Sequence, residues 1–460
     1  MTKMATRYLI TGGTIISGKS RRTADILIEN GKIEQIGEKL QAPDATRVDA
    51  KDRLIFPGFI DAHTHFDLEV SGTVTADDFA SGTKAAIAGG TTCIIDFATQ
   101  NKKETLRQAL DNWHLKADGV SSCDYAFHMA ISDWNETTFE EIKDMFVNGV
   151  TSFKLYMTYD IRVSDAVIFE VLTRMKTFGG IVGVHCENGD LINELIARQK
   201  RDGNYTPSAH PLSRPACVEA EAIHRLLTIA KLVDVPVVIV HLSSTEGYEE
   251  ILRAREKGQQ VYVETCPQYL ILDDSRYELE GFESAKYVCS PPLRKQADKT
   301  CLWKALTDGQ IDTIATDHCS FSMEQKRLGQ TDFTRIPNGM PGVSHRPHLI
   351  YTYGVLEEKI TLEQMCALLS ENPAKLYGMY PRKGCIEVGS DADLVIWNPN
   401  YRRTLSAESQ LYNMDYSPYE GIKVRGMAEK VFLRGMFVAE KGEVIRENAG
   451  CYIARGKGGL

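Results

Sequence analysis

Phe56-Pro57-Gly58-Phe59-Ile60-Asp61-Ala62-His63-Thr64-His65 reads as a short apolar strand from Phe59 with a His-x-His pair at that strand's end. Runs of the same kind return at Thr92–Asp96, Tyr125–Met129, Ser152–Tyr156, Ile181–His185, Val237–His241, Val261–Thr265 and Thr313–Asp317, giving eight candidate strands with Phe59–His63. Helical stretches at 164–178, 216–233 and 245–257 separate several of them, and apolar runs alternating with helices are the signature of βα units. Eight strands with such crossovers fit an α/β fold, a closed (β/α)8 TIM-like barrel over residues 57–384, with an open doubly wound sheet as the runner-up.

On either side of this region the pattern changes. Tyr8–Ile10, Asp25–Ile28 and Lys32–Ile36 surround the turn signal Asn30-Gly31, and Leu394–Trp397, Lys423–Val424 and Val431–Leu433 are separated by glycines. Neither end carries enough strands for a core of its own, so residues 1–56 and 385–460 are expected to combine in one small β-sandwich domain. The last stretch, Arg455-Gly-Lys-Gly-Gly-Leu460, reads as loose.

Composition narrows the function class. Hydrophobic residues make up 43% and charged residues 25% of the 460, ordinary globular values. Lys plus Arg number 53 against 62 Asp plus Glu, a net −9 without a basic block, so neither nucleic acid nor an anionic membrane is an expected partner. No window approaches the roughly 20 apolar residues of a membrane helix, and the N-terminus has no secretory pattern, so a cytoplasmic location is expected. Eleven cysteines without a Cys-x-x-Cys pair point to reduced packing residues, with Cys186, Cys266, Cys289 and Cys319 read the same way despite lying near strand ends.

The chemistry-bearing residues sit at the ends of the candidate strands. The two-residue strand period puts the rings of His63 and His65 on one face, and His185, His241 and Asp317 end three other strands. In a barrel those ends meet at the C-terminal mouth, where four imidazoles and a carboxylate can hold first-row metal ions. Lys154 lies within the apolar run Ser152–Tyr156. Such a lysine either snorkels to solvent or is neutral, its pKa lowered by burial, and able to add carbon dioxide as a carbamate that bridges two cations. His318, on the opposite strand face from Asp317, reads as a supporting or packing residue. His114, His128, His210, His224, His345 and His348 follow no spacing that indicates a role.

His-x-His, a strand lysine, two single histidines and a final aspartate, in that order, resemble the cyclic amidohydrolases of the amidohydrolase superfamily. The hydantoinases and dihydropyrimidinases are the most similar group, through Ser152-Phe153-Lys154, His185-Cys186-Glu187-Asn188, Glu264 to Leu270, Ser290-Pro291-Pro292-Leu293-Arg294 and Pro337-Asn338-Gly339. The resemblance implies two divalent ions, expected to be Zn2+. His63, His65 and Asp317 would hold one, His185 and His241 the other, and Lys154 carboxylated on its side-chain nitrogen would bridge them. It also implies that Tyr159 contacts the reacting carbonyl, that Ser290 and Asn338 grip the ring amide through backbone atoms, and that Asp317 shuttles a proton. Val70, Tyr156 and Val163 match the positions facing the exocyclic substituent, and the runs around His65 and Lys154 are similar to phenylhydantoinases. The implied reaction is hydrolysis of the cyclic amide of hydantoins or dihydropyrimidines to N-carbamoyl amino acids, with room for 5-aryl D-hydantoins, by a homotetramer. The dihydropyrimidinase activity of pyrimidine degradation is the main alternative. Dihydroorotase and allantoinase fit less well, because Asp67 stands where dihydroorotases carry an arginine and Gln268 where both usually carry histidine. A non-catalytic, dihydropyrimidinase-like scaffold is a further alternative, although all six implied metal ligands are present.

Overall fold

In the middle of the chain the valine- and isoleucine-rich runs are buried on both faces, as strands of a parallel sheet covered by helices must be. The computed structural model describes residues 7–460; Met1–Thr6, the start of the expected 1–56 segment, lie outside the described residues. Phe59–Thr64, Thr91–Thr99, Asp124–Ala130, Ser152–Tyr156, Ile181–His185, Val237–Ile239, Val261–Thr265 and Thr313–Ile314 form one eight-stranded sheet in chain order. Neighbouring strands pair in parallel, with Tyr156 opposite His185 and Val184 opposite Ile239. A parallel bridge between Thr64 and His318 sets the last strand's exit beside the first and closes the ring. The fold is therefore the (β/α)8 barrel, not the open sheet.

The crossover helices follow local chemistry. Asp165–Phe178 starts at Ser164, whose hydroxyl accepts from the Val167 amide, and stops at Gly179, where φ of 76° suits a residue without a Cβ. Thr245–Glu256 is capped in the same way by Ser244, and Ala216–Val233 has the limits that its apolar periodicity predicts.

Both ends of the chain build two further sheets. One is four-stranded, made of Tyr8–Thr11, Asp25–Glu29, Lys32–Gly37 and Thr46–Asp49. The other is seven-stranded and mixes the termini, with Leu54–Pro57 paired to Leu394–Thr404 on one side and to Thr14–Ile16 on the other. Ile10, Ile15, Ile26, Ile28, Ile55, Leu394, Ile396 and Phe432 fill one core with side chains from both ends. This is the small β-sandwich, which neither terminus could form alone.

The C-terminal tail is a correction. Far from being loose, it lies against the N-terminal ends of the third and fourth barrel strands: Ile453 N donates to Tyr125 O at 2.8 Å, Arg455 N to Gly149 O at 3.0 Å and Gly456 N to Gly378 O at 3.0 Å. Arg455 is 4% exposed, and its guanidinium donates to the carbonyls of Phe127 and Tyr377. The glycines serve close approach here, since a Cβ on Gly458 would stand 2.0 Å from Leu376 O. Arg455→Ala should lower the unfolding free energy by about 1–3 kcal/mol, the cost of leaving buried carbonyls without donors. Turnover should stay within about twofold of the parent, because the tail is at the far end of the barrel from the mouth; urea titration and steady-state kinetics on the same preparation check both halves.

Candidate active site

A barrel gathers the C-terminal ends of its strands at one mouth, so the residues ending those strands become neighbours whatever their separation in sequence. His63 is the residue before the end of the first strand, and its Nε2 lies 3.2 Å from Asp317 Oδ1; His65 Nε2 is also 3.2 Å from that oxygen. The His185 and His241 ring centroids are 4.5 Å apart, and His63 lies 5.5 Å from His241. One ligand atom each from His63, His241 and Asp317 falls within 4.8 Å of the others, a group able to hold a metal ion.

The strands stop before the last two of these residues. The sixth ends at Ile239 and the eighth at Ile314, while His241 and Asp317 have left-handed backbones with φ of 40° and 53°. Tyr159 shares that conformation at 68°. Each such residue costs on the order of 1–3 kcal/mol, which the surrounding fold must overcome to keep the side chains aimed inward.

Carboxylates behind the rings set their orientation. Glu264 Oε1 lies 2.7 Å from His63 Nδ1 and accepts from the His241 amide at 3.2 Å, so Nε2 of His63 is the nitrogen turned into the mouth. Glu187 Oε2 lies 2.7 Å from His185 Nε2 and accepts from Arg214 Nη1 at 2.6 Å, turning the Nδ1 of His185 inward. Burial favours the neutral form of His65, His185 and His241 and holds all three below the ordinary imidazole value. Burial alone would raise Asp317, but the neighbouring histidines outweigh it and hold the carboxyl well below its usual range.

Lys154 is 1% exposed, so it does not snorkel. Its Nζ lies 5.0 Å from the Phe97 ring centroid and 5.3 Å from that of Tyr156, and burial brings it down to about 8 against the opposing pull of Asp317 and Glu264. Among the described residues, the buried His63 Nε2, His65 Nδ1 and His241 Nδ1 have no hydrogen-bond partner. Buried imidazoles with unbonded ring nitrogens, His63 and His65 each turning Nε2 to the Asp317 carboxylate, fit divalent cations.

At the rim, Asn338 Nδ2 donates to Ser290 Oγ at 3.1 Å. Both side chains face Tyr159, whose phenol burial pushes up to about 12, and the Arg214 guanidinium lies 5.2 Å from its ring centroid. Tyr156 packs with Phe97, Ala130 and Ile161 in a small apolar cluster. Val163 is half-buried, its amide donating to Tyr156 O at 3.1 Å, whereas Val70 stands 37% exposed on a hairpin of Glu69–Val70 and Thr73–Val74, outside that cluster.

His318 turns away from the mouth. Its Nδ1 accepts from the Gly342 amide at 3.1 Å, which leaves Nε2 to donate to Asp77 at 3.0 Å. Cys186, Cys266, Cys289 and Cys319 are buried and free, and burial pushes Cys289 up to about 12 and the others above their usual value, so none is a poised thiolate. Sequence reasoning gave no role to Glu187, Glu264 or Arg214. For the two glutamates a signal existed: one is the residue before the end of the strand Val261–Thr265, and the other sits two residues after His185.

The chain is similar to known enzymes over its whole length. It is 44% identical to a D-hydantoinase of Geobacillus stearothermophilus over 98% of this chain and 97% of that protein. It is 39% identical to a dihydropyrimidinase of Dictyostelium discoideum over 94% of this chain and 87% of that one. The crystal structure of a dihydropyrimidinase from Brevibacillus agri superposes with a TM-score of 0.97 at 42% identity, covering 99% of this chain and 100% of that one. The amidohydrolase family pattern matches residues 54–438, which span the barrel and reach into the returning sandwich strands: the chain belongs to the amidohydrolase family.

Proposed function

We propose that the mouth is a binuclear metal centre that opens cyclic amides, hydantoins or dihydropyrimidines, to N-carbamoyl amino acids. The observation that supports this reading is the crowding of four imidazoles and Asp317, with a buried lysine nearby, around ring nitrogens that make no hydrogen bond. His63, His65 and Asp317 would hold one ion and His185 and His241 the other, zinc being the expected metal. Lys154, once its neutral amine has added carbon dioxide and released a proton, would supply the anionic carbamate that both ions need between them. A fall from 10.5 to about 8 raises the neutral fraction at pH 7 about 300-fold, which makes that addition accessible. When bound, such a pair of ions lowers the pKa of a shared water toward about 7 and polarises the carbonyl it attacks.

The protein's own groups do the rest. Asp317 takes the nucleophile's proton on its carboxylate and delivers it to the ring nitrogen as the carbon–nitrogen bond breaks. The Tyr159 hydroxyl, protonated at neutral pH and reaching the rim from a 36% exposed residue, donates to the carbonyl oxygen as negative charge grows there. Backbone groups of Ser290 and Asn338 hold the ring amide in register. Purified protein should carry two metal ions per chain and open a hydantoin ring. A well-folded protein with no stoichiometric metal and no turnover would point to the scaffold instead.

For the exocyclic group, Tyr156 supplies an aromatic wall, and Val70 and Val163 are small enough to leave room for a 5-aryl substituent. Burial of a phenyl ring at about 25 cal/mol per Å2 favours D-phenylhydantoin over hydantoin by roughly 10–200-fold in kcat/KM. The D-enantiomer follows from the likeness to D-hydantoinases. Both phenylhydantoin enantiomers, hydantoin and dihydrouracil, assayed with one preparation, give the ranking. If dihydrouracil leads and Val70→Phe leaves the order unchanged, the aryl reading is wrong and the dihydropyrimidinase reading takes its place. A homotetramer is part of the same proposal, checked by light scattering.

A further inference from the structure

Lys326 ends the short helix Met323–Lys326 and is fully buried. Its Nζ donates to three main-chain carbonyls, Val288 O at 3.0 Å, Pro337 O at 2.7 Å and Gly339 O at 3.0 Å. Those carbonyls belong to two loops, one carrying Ser290 and the other Asn338, which lie 48 residues apart in sequence. An ammonium has three donors and no acceptor, and here each donor meets a carbonyl of the loop pair. Isolating a charge from water is expensive, and an apolar side chain would fill the same space without that cost. The neighbouring carbonyls are also engaged from behind: Cys289 O faces His210 Nε2 at 2.8 Å, and Pro291 O accepts from the Tyr269 hydroxyl at 2.7 Å.

We propose that Lys326 is a positioning residue for substrate. It fixes the spacing between the Ser290 and Asn338 loops and so governs how well the ring amide is held. The proposal rests on the reading that these two loops grip the ring. Because Lys326 acts beneath the rim and Tyr159 reaches the site from a different loop, its removal should weaken binding more than it slows chemistry.

Lys326→Met removes all three donors at similar volume, and Lys326→Gln keeps two. With metal content matched to the parent, Lys326→Met should raise KM for hydantoin about tenfold or more, the loss expected when buried acceptors are left unpaired, with kcat within about threefold. Lys326→Gln should fall between and carries the test if the methionine variant does not fold. Amide hydrogen exchange should rise in 288–294 and 337–341 together while 152–159 stays protected. An unchanged KM in a folded variant, or exchange that rises evenly around the barrel, overturns the proposal. Gly339→Ala separates it from the reading beneath it, because a Cβ there would stand 2.3 Å from Cys319 O and push the Asn338 loop aside. If that variant leaves KM unaltered, the loops do not grip the ring and both ideas fall. If it raises KM while neither Lys326 variant does, only the role of Lys326 is lost.

Discussion

Asp317→Asn should lower kcat by at least about a hundredfold, since a positioned general acid–base group contributes 10²–10⁴-fold. The substitution keeps the shape and removes the charge. Asp317 sits just past the eighth strand with φ of 53°, its Oδ1 at 3.2 Å from both His63 Nε2 and His65 Nε2, so an asparagine meets the same walls and can still offer an oxygen to a metal. It cannot take up a proton and hand it on. The histidines that hold the Asp317 carboxyl well below its usual range keep the parent ionised throughout the neutral region, ready to accept. Metal analysis alongside kinetics divides the outcomes. Unchanged metal with a collapsed kcat is the expected result, and unchanged metal with kcat near the parent value would remove the proton-shuttle role while leaving a ligand role standing.

Lys154→Ala should cost more, at least about a thousandfold in kcat, because losing the bridge removes both nucleophile activation and carbonyl polarisation, several kcal/mol of barrier. The argument is one of charge. As an ammonium, Lys154 would place a cation beside four imidazoles and repel any divalent ion; as a carbamate it places an anion there. Burial, which brings the amine to about 8, makes the second form reachable, and the side chain is already out of water at 1% exposure between the Phe97 and Tyr156 rings. Mass measurement of the native protein should find one added carboxylate that acid treatment removes, and Lys154→Ala should purify with less than the parent's metal. A free ammonium beside two fully occupied metal sites, or normal turnover in Lys154→Ala, would take the residue out of the centre.

Two-residue periodicity and apolar runs were enough to find all eight barrel strands, because such strands are buried on both faces and are written as uninterrupted hydrophobic stretches. The same patterns put His63, His65, His185, His241 and Asp317 at the strand ends, Lys154 within a strand and the two chain termini in a shared sandwich, and the barrel rule then brought the strand ends to one mouth. All of this depends on neighbours within a few positions, which a sequence displays. What pairs across the fold does not appear in that form. Glu264 behind His63, Arg214 behind Glu187, and Lys326 reaching back to Val288 are each an ordinary charged residue in the sequence, with a partner tens or hundreds of positions away. The left-handed backbones at His241 and Asp317 belong to the same class, since tertiary contacts and not the side chains themselves hold them there. The tail misled for a related reason: glycine is read locally as freedom, whereas at Gly458 and Gly378 it permits two stretches of backbone to touch. Short-range periodicity determined the barrel and the histidines and aspartate that end its strands, and resemblance alone pointed to Tyr159, Ser290 and Asn338, while the partners that orient those residues were decided only when the chain folded, because the burial that makes such pairs strong exists only in the folded chain.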